Sequence, residues 1–416
     1  MRVVVIGAGL LGICSAWYLA QRGARVTVLE SAAEPAGLTS HANGGMLTPS
    51  QAMPWNEPGV AWKVLRTLGR EDSAVLLRPR ALPSLGAWLP RFLFNSAPAR
   101  FRANAMSNAR LAIYSLDCLR ELQAILGRSC ELAWNGTMKV FADAAALDLA
   151  LGWSRMLAGT GVRHRLLDAH AAIALEPALA PGAGRLAGAI HYPDDASGDA
   201  RGFCHALAGA AVARGVAFRF DTPATVRIDH RSGLCVVHGG GERLPADACV
   251  LACGHSTARL ARTLGLKVPV RPVKGYSLTV PTGTGAPSLP IVDETWHVAA
   301  TPLGDRLRIA GTAEFAGEDL TLSAGRIENL RRFVRARFPD LQCAAGEDHP
   351  WCGLRPMSCD GVPLIGPTSI RNLYLNAGHG HLGWTLCAGS GRLLADLMSG
   401  GVPGLDAAPY APARFG

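Results

Sequence analysis

The chain has eleven cysteines but no C-x-x-C pair, and its closest two, Cys249 and Cys253, are separated by three residues. That spacing supplies neither a redox pair nor the paired thiolates of a zinc site, so no disulfide framework and no metal are expected. Missing too is a small-residue cleavage site after a charged amino-terminal region. Residues 3–20 are apolar enough to raise a signal peptide or a marginal transmembrane helix, but without that site reduced thiols in the cytoplasm are the expectation. No internal repeat or low-complexity tract is visible, and no Ser-His-Asp or paired-carboxylate constellation stands out. A chain of 416 residues at 49% hydrophobic is then globular with ample core, most simply two domains.

What is present begins at the amino terminus. Val3 to Ile6 is a short β-branched run bounded by glycine, which reads as a buried parallel strand. Gly7, Gly9 and Gly12 follow in the spacing G-x-G-x-x-G. Leu11, Ser15, Ala16, Leu19 and Ala20 then recur at helical spacing, and a second strand, Arg25 to Leu29, ends on Glu30. Gly7 permits the tight turn, Gly9 lets backbone approach a pyrophosphate, and Gly12 lets helix and strand pack closely. The backbone from Gly9 through Leu10 and Leu11 opens a helix whose free N–H groups favour phosphate. Glu30, with Ser31 beside it, is placed to accept hydrogen bonds from ribose hydroxyls. An acid there suits FAD or NAD and disfavours NADP, whose extra phosphate it would repel.

A long Gly-, Ser- and Pro-rich connection follows Glu30, and such loops within compact domains are usually functional. Ser40, Asn43, Gly44, Gly45 and Met46 are candidates to present backbone and small side chains to a cofactor. The net charge of +9 is concentrated downstream: residues 61–110 hold nine Lys or Arg against Glu71 and Asp72. Across 58–105 these alternate with Trp62, Leu65, Leu68, Leu76, Trp88, Phe92 and Phe94. The pattern suits docking on an anionic membrane, or equally a helical lid with its apolar face inward. Nucleic acid is not expected, because no binding motif accompanies the charge.

Amphipathic helices are expected over 105–127, 144–160 and 200–214, with a strand at 136–143. Asp194, Asp195 and Asp199 fall in a Pro/Gly turn and read as Asx-turn residues rather than a cation site. Residues 246–261 read as an apolar strand ending at Cys253-Gly254, both candidate cofactor contacts, then a helix capped by Ser256 or Thr257. Two antiparallel strands joined by a PLGD turn, with 271–280, would wall a second domain. Finally the strand LYLNAG runs into Gly378, His379, Gly380, His381, Leu382 and Gly383, then a helix from about Trp384 and Thr385. Glycines there let backbone approach a flat ligand, and the helix N-terminus would stabilise an anionic reduced ring.

The segments VVVIGAGLLG, ANGGMLTPSQAMPWNEPGV, PDDASGD, PVKGYSLTVP, DETWHVAAT, WCGLRPMSCDGVPLIG and LNAGHGHLGWTLCAGSG run nearly end to end. With them the chain resembles the flavin-dependent amine oxidoreductases of the D-amino-acid oxidase, glycine oxidase and sarcosine oxidase superfamily, and within it the bacterial dehydrogenases of D-amino acids. Two departures stand out: Cys359 where proline is more usual, and His381 where threonine is common, so substrate preference or flavin poise is expected to differ. The resemblance implies an α/β fold in which a Rossmann-type FAD domain (1–80, 195–265 and 340–416) is interleaved with an α+β substrate domain on an antiparallel sheet (81–194 and 266–339). It implies oxidation of the Cα–N bond of a D-amino acid by hydride transfer to dissociable FAD, giving a 2-oxo acid and ammonia with no essential general base. Arg355 would grip the substrate carboxylate, Tyr276 would be a second clamp, and His379 and His381 would contact flavin or shape the pocket. Electrons would pass to a quinone or other respiratory carrier, with 58–105 as a peripheral contact on the cytoplasmic face of the inner membrane. The alternatives are a D-hydroxyproline or other cyclic imino-acid dehydrogenase, a flavoprotein subunit of a larger amine dehydrogenase complex, and an NAD-dependent dehydrogenase sharing the amino-terminal fingerprint.

Overall fold

The structure is a computed structural model that describes residues 1–416 except 67–68, 72, 131, 230–234 and 342–346. Leu68 and Asp72 of the basic segment therefore lie outside the described residues. The first strand, β1 (Arg2–Ile6), is central to a six-stranded sheet. Val3 and Val5 pack on one face and Val4 and Ile6 on the other, which is why the run is apolar at every position rather than alternating. Helix α1 (Leu10–Gln21) and strand β2 (Arg25–Leu29) complete the first crossover. In order the sheet reads Ala217–Arg219, β2, β1, Ala248–Leu251, Leu373–Ala377 and Leu364–Pro367, parallel except for the last pair.

One face of this sheet carries α1, the helix Gly383–Ser399 and the helix Pro98–Leu126. Glycines decide their spacing. A Cβ on Gly391 would lie 2.7 Å from the Cys14 carbonyl carbon, and one on Gly389 would lie 2.9 Å from Ser115 Cα. Gly383–Ser399 thus lies wedged between its two neighbours with backbones nearly touching. The helix expected over 105–127 begins earlier, because Pro98 fits a first turn that needs no N–H donor. Ser256 sits in a 3-10 turn with right-handed helical backbone and makes no side-chain cap, so the expected capping there does not form.

The second sheet has nine strands and is mostly antiparallel. Its longest ladders join Val270–Pro281 to His349–Ser358 on one side and to Arg306–Phe315 on the other. The PLGD hairpin forms as expected between Val298–Leu303 and Arg306–Phe315. The expected division places 98–126 in the substrate domain and 349–358 in the FAD domain. The helix packs on α1's face of the first sheet, whereas the strand pairs along ten residues of Val270–Pro281.

The described residues from Val60 to Phe94 fold as a lid, while 98–105 open the helix Pro98–Leu126. Leu85, Trp88 and Phe92 are buried against Val273, Ala313 and Met357, and Val75–Leu77 adds a parallel strand beside Arg306–Phe315. Trp62 and Phe94, each 60% exposed, lie outside that core. Asp194 and Asp195 share the turn that the Asp195 amide closes on the Tyr192 carbonyl at 3.3 Å, but the three carboxylates of 194–199 have separate partners. Asp194 pairs with Arg163, and Asp199 caps the helix Ala200–Ala213 through the Arg201 amide at 3.0 Å. Asp195, at the end of the turn between Gly188–Tyr192 and Ala196–Gly198, is buried with its carboxylate on the hydroxyls of Ser50 and Thr137.

Candidate functional site

A cavity of about 1420 Å³ runs from the carboxyl ends of β1 and β2 to the face of the second sheet. That exceeds the usual few hundred to 1,000 Å³ or so of a single small-ligand pocket and suits a dinucleotide plus a substrate. At its first end Gly7 has φ +106°, and a Cβ there would meet the Ala252 carbonyl oxygen at 2.7 Å. A Cβ on Gly12 would lie 1.8 Å from Gly7 O, so Gly12 serves helix–strand contact and does not reach the cavity wall. Gly9, Leu10 and Leu11 do line it, at the first turn of α1, where amides lack intrahelical acceptors. Glu30 accepts from the Ala8 amide at 2.7 Å and the Ala32 amide at 2.9 Å, and Ser31 Oγ donates to it at 3.1 Å. This bare-backbone cradle with a carboxylate at its end fits FAD.

The loop after Ser31 closes one side. Ser40 Oγ accepts from the Leu10 amide at 3.3 Å, and Asn43 Oδ1 accepts from the Gly45 amide at 3.0 Å in an Asx turn. Gly44, Gly45 and Met46 continue along the wall, and Cys253 and Gly254 face them from the end of Ala248–Leu251. Burial pushes the Cys253 thiol up to about 11, so it is a packing group rather than a nucleophile.

From the other side comes the loop 378–384. His379, Gly380, His381, Gly383 and Trp384 line the cavity where the helix Gly383–Ser399 begins. Gly378, Leu382 and Thr385 do not: Leu382 is in the core, Thr385 Oγ1 accepts from the Thr48 amide at 3.0 Å, and Gly378 makes the turn at φ +80°. His379 is hydrogen bonded through Nε2 to Ser390 Oγ at 2.9 Å, and burial lowers it to about 3. His381 Nε2 lies 3.2 Å from the Gln51 carbonyl oxygen, and its ring stacks on Trp55 at 5.2 Å. Burial lowers His381 to about 4, so both rings are neutral near pH 7.

Arg355 stands at the far end. Its Nη1 donates to the Thr312 carbonyl at 3.1 Å and its guanidinium lies 5.3 Å above the Trp55 ring. Among the described residues no carboxylate pairs with it, and burial lowers it to about 10. A desolvated cation without a partner calls for an anion. Tyr276 also lines the cavity, but its hydroxyl donates to Glu314, which in turn accepts from Arg78 Nε at 2.8 Å. The ring, not the hydroxyl, is what Tyr276 offers the cavity.

Three residues at this end were not singled out from sequence. Trp55, inside PWNEPGV, is the platform under both Arg355 and His381. The Gln51 carbonyl fixes His381. Thr312 has φ +60° and a buried Oγ1 without a hydrogen-bond partner, an unusual state for a β-branched residue that nothing in the sequence announces.

Known proteins resemble the chain in sequence and fold. A D-amino acid dehydrogenase of Paramagnetospirillum magneticum is 44% identical over 411 residues, covering 96% of this chain and 95% of that protein. One from Methylobacterium nodulans is 43% identical, covering 100% and 99%. Glycine oxidase from Geobacillus kaustophilus superposes with a TM-score of 0.75 at 26% identity over 99% of this chain and 98% of its own. L-proline dehydrogenase from P. horikoshii, at 18% identity and a TM-score of 0.78 over 100% and 97%, shares the fold. The profile of FAD-dependent oxidoreductases of the DAO type matches residues 2–397, and the chain belongs to that family.

Proposed function

We propose that the protein is an FAD-dependent D-amino-acid dehydrogenase, converting a D-amino acid to a 2-oxo acid and ammonia. The observation that carries the reading is Arg355, a half-buried, desolvated guanidinium with no carboxylate partner among the described residues, at the end of a dinucleotide-sized cavity. The full-length similarity to D-amino acid dehydrogenases supports the same substrate class. FAD, when bound, supplies the two-electron acceptor for the α-hydrogen. Gly7, Gly9, Leu10, Leu11, Glu30 and Ser31 would hold its adenosine and pyrophosphate. The loop residues of 40–46, 253–254 and 379–384 that line the cavity would hold the flavin.

The chain's own residues bind and orient. Arg355 takes the substrate carboxylate in a two-point contact, which fixes direction as well as position. Trp55 beneath it and the Tyr276 ring beside it limit where the side chain lies. His381 Nε2 carries the proton that reaches the Gln51 carbonyl, so the neutral ring presents Nδ1 as an acceptor for an amine N–H. A group with so low a pKa is a poor proton acceptor at neutral pH, which accords with positioning rather than base catalysis. The lid residues Leu85, Trp88 and Phe92 cover this end and exclude water.

For the acceptor we propose a quinone or related respiratory carrier, reached from an anionic membrane that meets the segment 58–105. The cavity wall on that side is apolar, with Val60, Val64, Leu82 and Leu89; Trp62 and Phe94 are exposed, and the Arg100 guanidinium lies 3.9 Å over the Phe94 ring. No helix among the described residues is long and apolar enough to cross a membrane. Anionic liposomes should therefore retain the protein, and neutralising Arg91, Arg100 and Arg102 should release it; equal binding by that variant refutes the contact.

The activity is tested by anaerobic bleaching of the bound flavin, read near ~450 nm as the cofactor's own absorbance, with D-, L- and cyclic amino acids. Bleaching by linear D-amino acids is expected. Bleaching by proline-type substrates alone would make it a cyclic imino-acid dehydrogenase, and none by any amino acid would refute the enzyme reading and point to a subunit of a larger complex.

A further inference from the structure

We propose that Asp195 is a positioning residue for this reaction: through the turn Pro49–Gln51 it holds His381 in the tautomer that leaves Nδ1 open to the substrate amine. The proposal rests on the role given to His381 above. Asp195 is 2% exposed and far along the chain from both partners it organises. Its Oδ2 accepts from Ser50 Oγ at 2.5 Å and from Thr137 Oγ1 at 2.6 Å, and its Oδ1 accepts from the Ser50 amide at 3.3 Å. The carboxylate thus ties the middle of the turn to the strand Thr137–Phe141. The ends are tied separately, Thr48 N to Thr385 Oγ1 and the Ala52 carbonyl to Asn108 Nδ2 at 3.1 Å.

The residue after Ser50 presents the carbonyl that meets His381. A carbonyl oxygen only accepts, so a ring nitrogen 3.2 Å away must carry the hydrogen, and in a neutral imidazole the other nitrogen is then bare. Move the Gln51 carbonyl by a fraction of an ångström and the preference weakens. The ring then populates the Nδ1–H form, which cannot accept from an amine. A neutral hydrogen bond of ordinary strength biases the tautomers roughly three- to tenfold. Burying a carboxylate is costly even with three donors, and burial still pushes Asp195 up to about 7. A threonine or asparagine would hold a plain turn at less cost.

Asp195→Asn keeps shape and can still accept from the two hydroxyls, but turns an NH2 group toward the Ser50 amide. The test is a double-mutant cycle on the holoenzyme with Asp195→Asn and His381→Ala, reading the rate of anaerobic flavin bleaching by the most reactive D-amino acid. Erasing a three- to tenfold bias drops the productive tautomer from about 75–90% to about half, so Asp195→Asn should lower the saturating rate roughly 1.5- to twofold and leave the half-saturating concentration, set by Arg355, unchanged. In the His381→Ala background it should change nothing further. An equal loss in both backgrounds makes Asp195 structural and overturns the proposal. If His381→Ala alone leaves the rate unchanged, the reading of His381 fails first, and the relay with it. Should Asp195→Asn fail to fold, Ser50→Ala, which leaves the carboxylate in place, must show the same non-additivity; additive loss, or none, overturns the proposal.

Discussion

Replacing Arg355 by methionine should destroy activity without destabilising the substrate-free fold. The guanidinium is lowered by burial to about 10 from 12.5. At about 1.4 kcal/mol per pKa unit, holding it charged at neutral pH costs the fold roughly 3 kcal/mol. Against that stand a hydrogen bond to the Thr312 carbonyl, about 1.5–3 kcal/mol for a charged donor, and the contact with Trp55, roughly 0.5–2 kcal/mol. The sum is near zero, so thermal unfolding of Arg355→Met should match the parent within about 2 kcal/mol. A structural ion pair would behave differently, since removing one partner of a buried pair costs about 3–5 kcal/mol. Activity should fall far more. Losing a desolvated guanidinium–carboxylate contact costs about 2–5 kcal/mol of binding, or roughly 30- to 3,000-fold in kcat/KM. The two measurements refute the reasoning together if Arg355→Met unfolds more than about 3 kcal/mol more easily and keeps kcat/KM within about tenfold.

Three further outcomes follow from the geometry. Gly275→Ala would place a Cβ 2.1 Å from Arg355 Nη1, so the guanidinium must leave its place, and KM for the amino acid should rise at least about tenfold while flavin content holds. Glu30→Ala removes the acceptor expected to face the ribose and should weaken FAD about tenfold, by a charged hydrogen bond, measured by flavin release on dilution. His379 and His381 have folded pKa values of about 3 and 4, below the unfolded 6.5, so their contribution is full above about pH 6.5 and is lost as pH falls toward 4. Asp195 runs the other way. Its folded value of about 7 lies above 3.8, so between those values the folded state holds a proton the unfolded state lacks, and that contribution declines as pH rises. Melting followed from pH 4 to 8 should accordingly fall steeply on the acid side, and His381→Ala should flatten that limb.

The cofactor end of the cavity was legible because its requirements are written in residue types. Gly7 and Gly12 have no substitute where a Cβ would strike backbone, and β1 is apolar at successive positions because both its faces are covered. The substrate end was legible in part. Arg355 was found, but the hydroxyl of Tyr276 turns to Glu314, a residue 38 positions away whose proximity depends on the ladder of Val270–Pro281 with Arg306–Phe315. Asp195 read as a turn residue since its sequence neighbours are Pro, Asp and Gly, while its three donors come from positions 50 and 137. Thr312 could not be read at all, because a left-handed threonine leaves no compositional mark.

The two ends are joined at one place, and that junction explains how so few polar groups can suffice. Arg355 and Met357 lie on the same strand, and Met357 makes an isolated antiparallel bridge with His379 of the cofactor loop. Gly380 has φ +57°, a conformation that glycine adopts freely, and a Cβ there would also push on the Met357 thioether at 2.7 Å. Trp88 Nε1, from the lid, donates to the Met357 carbonyl at 3.1 Å. The carboxylate clamp, the loop of His379 and His381, and the lid therefore share one strand as a common reference. Errors of position between clamp and cofactor cannot accumulate through long loops. Where reacting groups are held within a few tenths of an ångström, orientation supplies much of the acceleration and no strong protein base is required. Disturbing Met357 or Gly380 would break this registry.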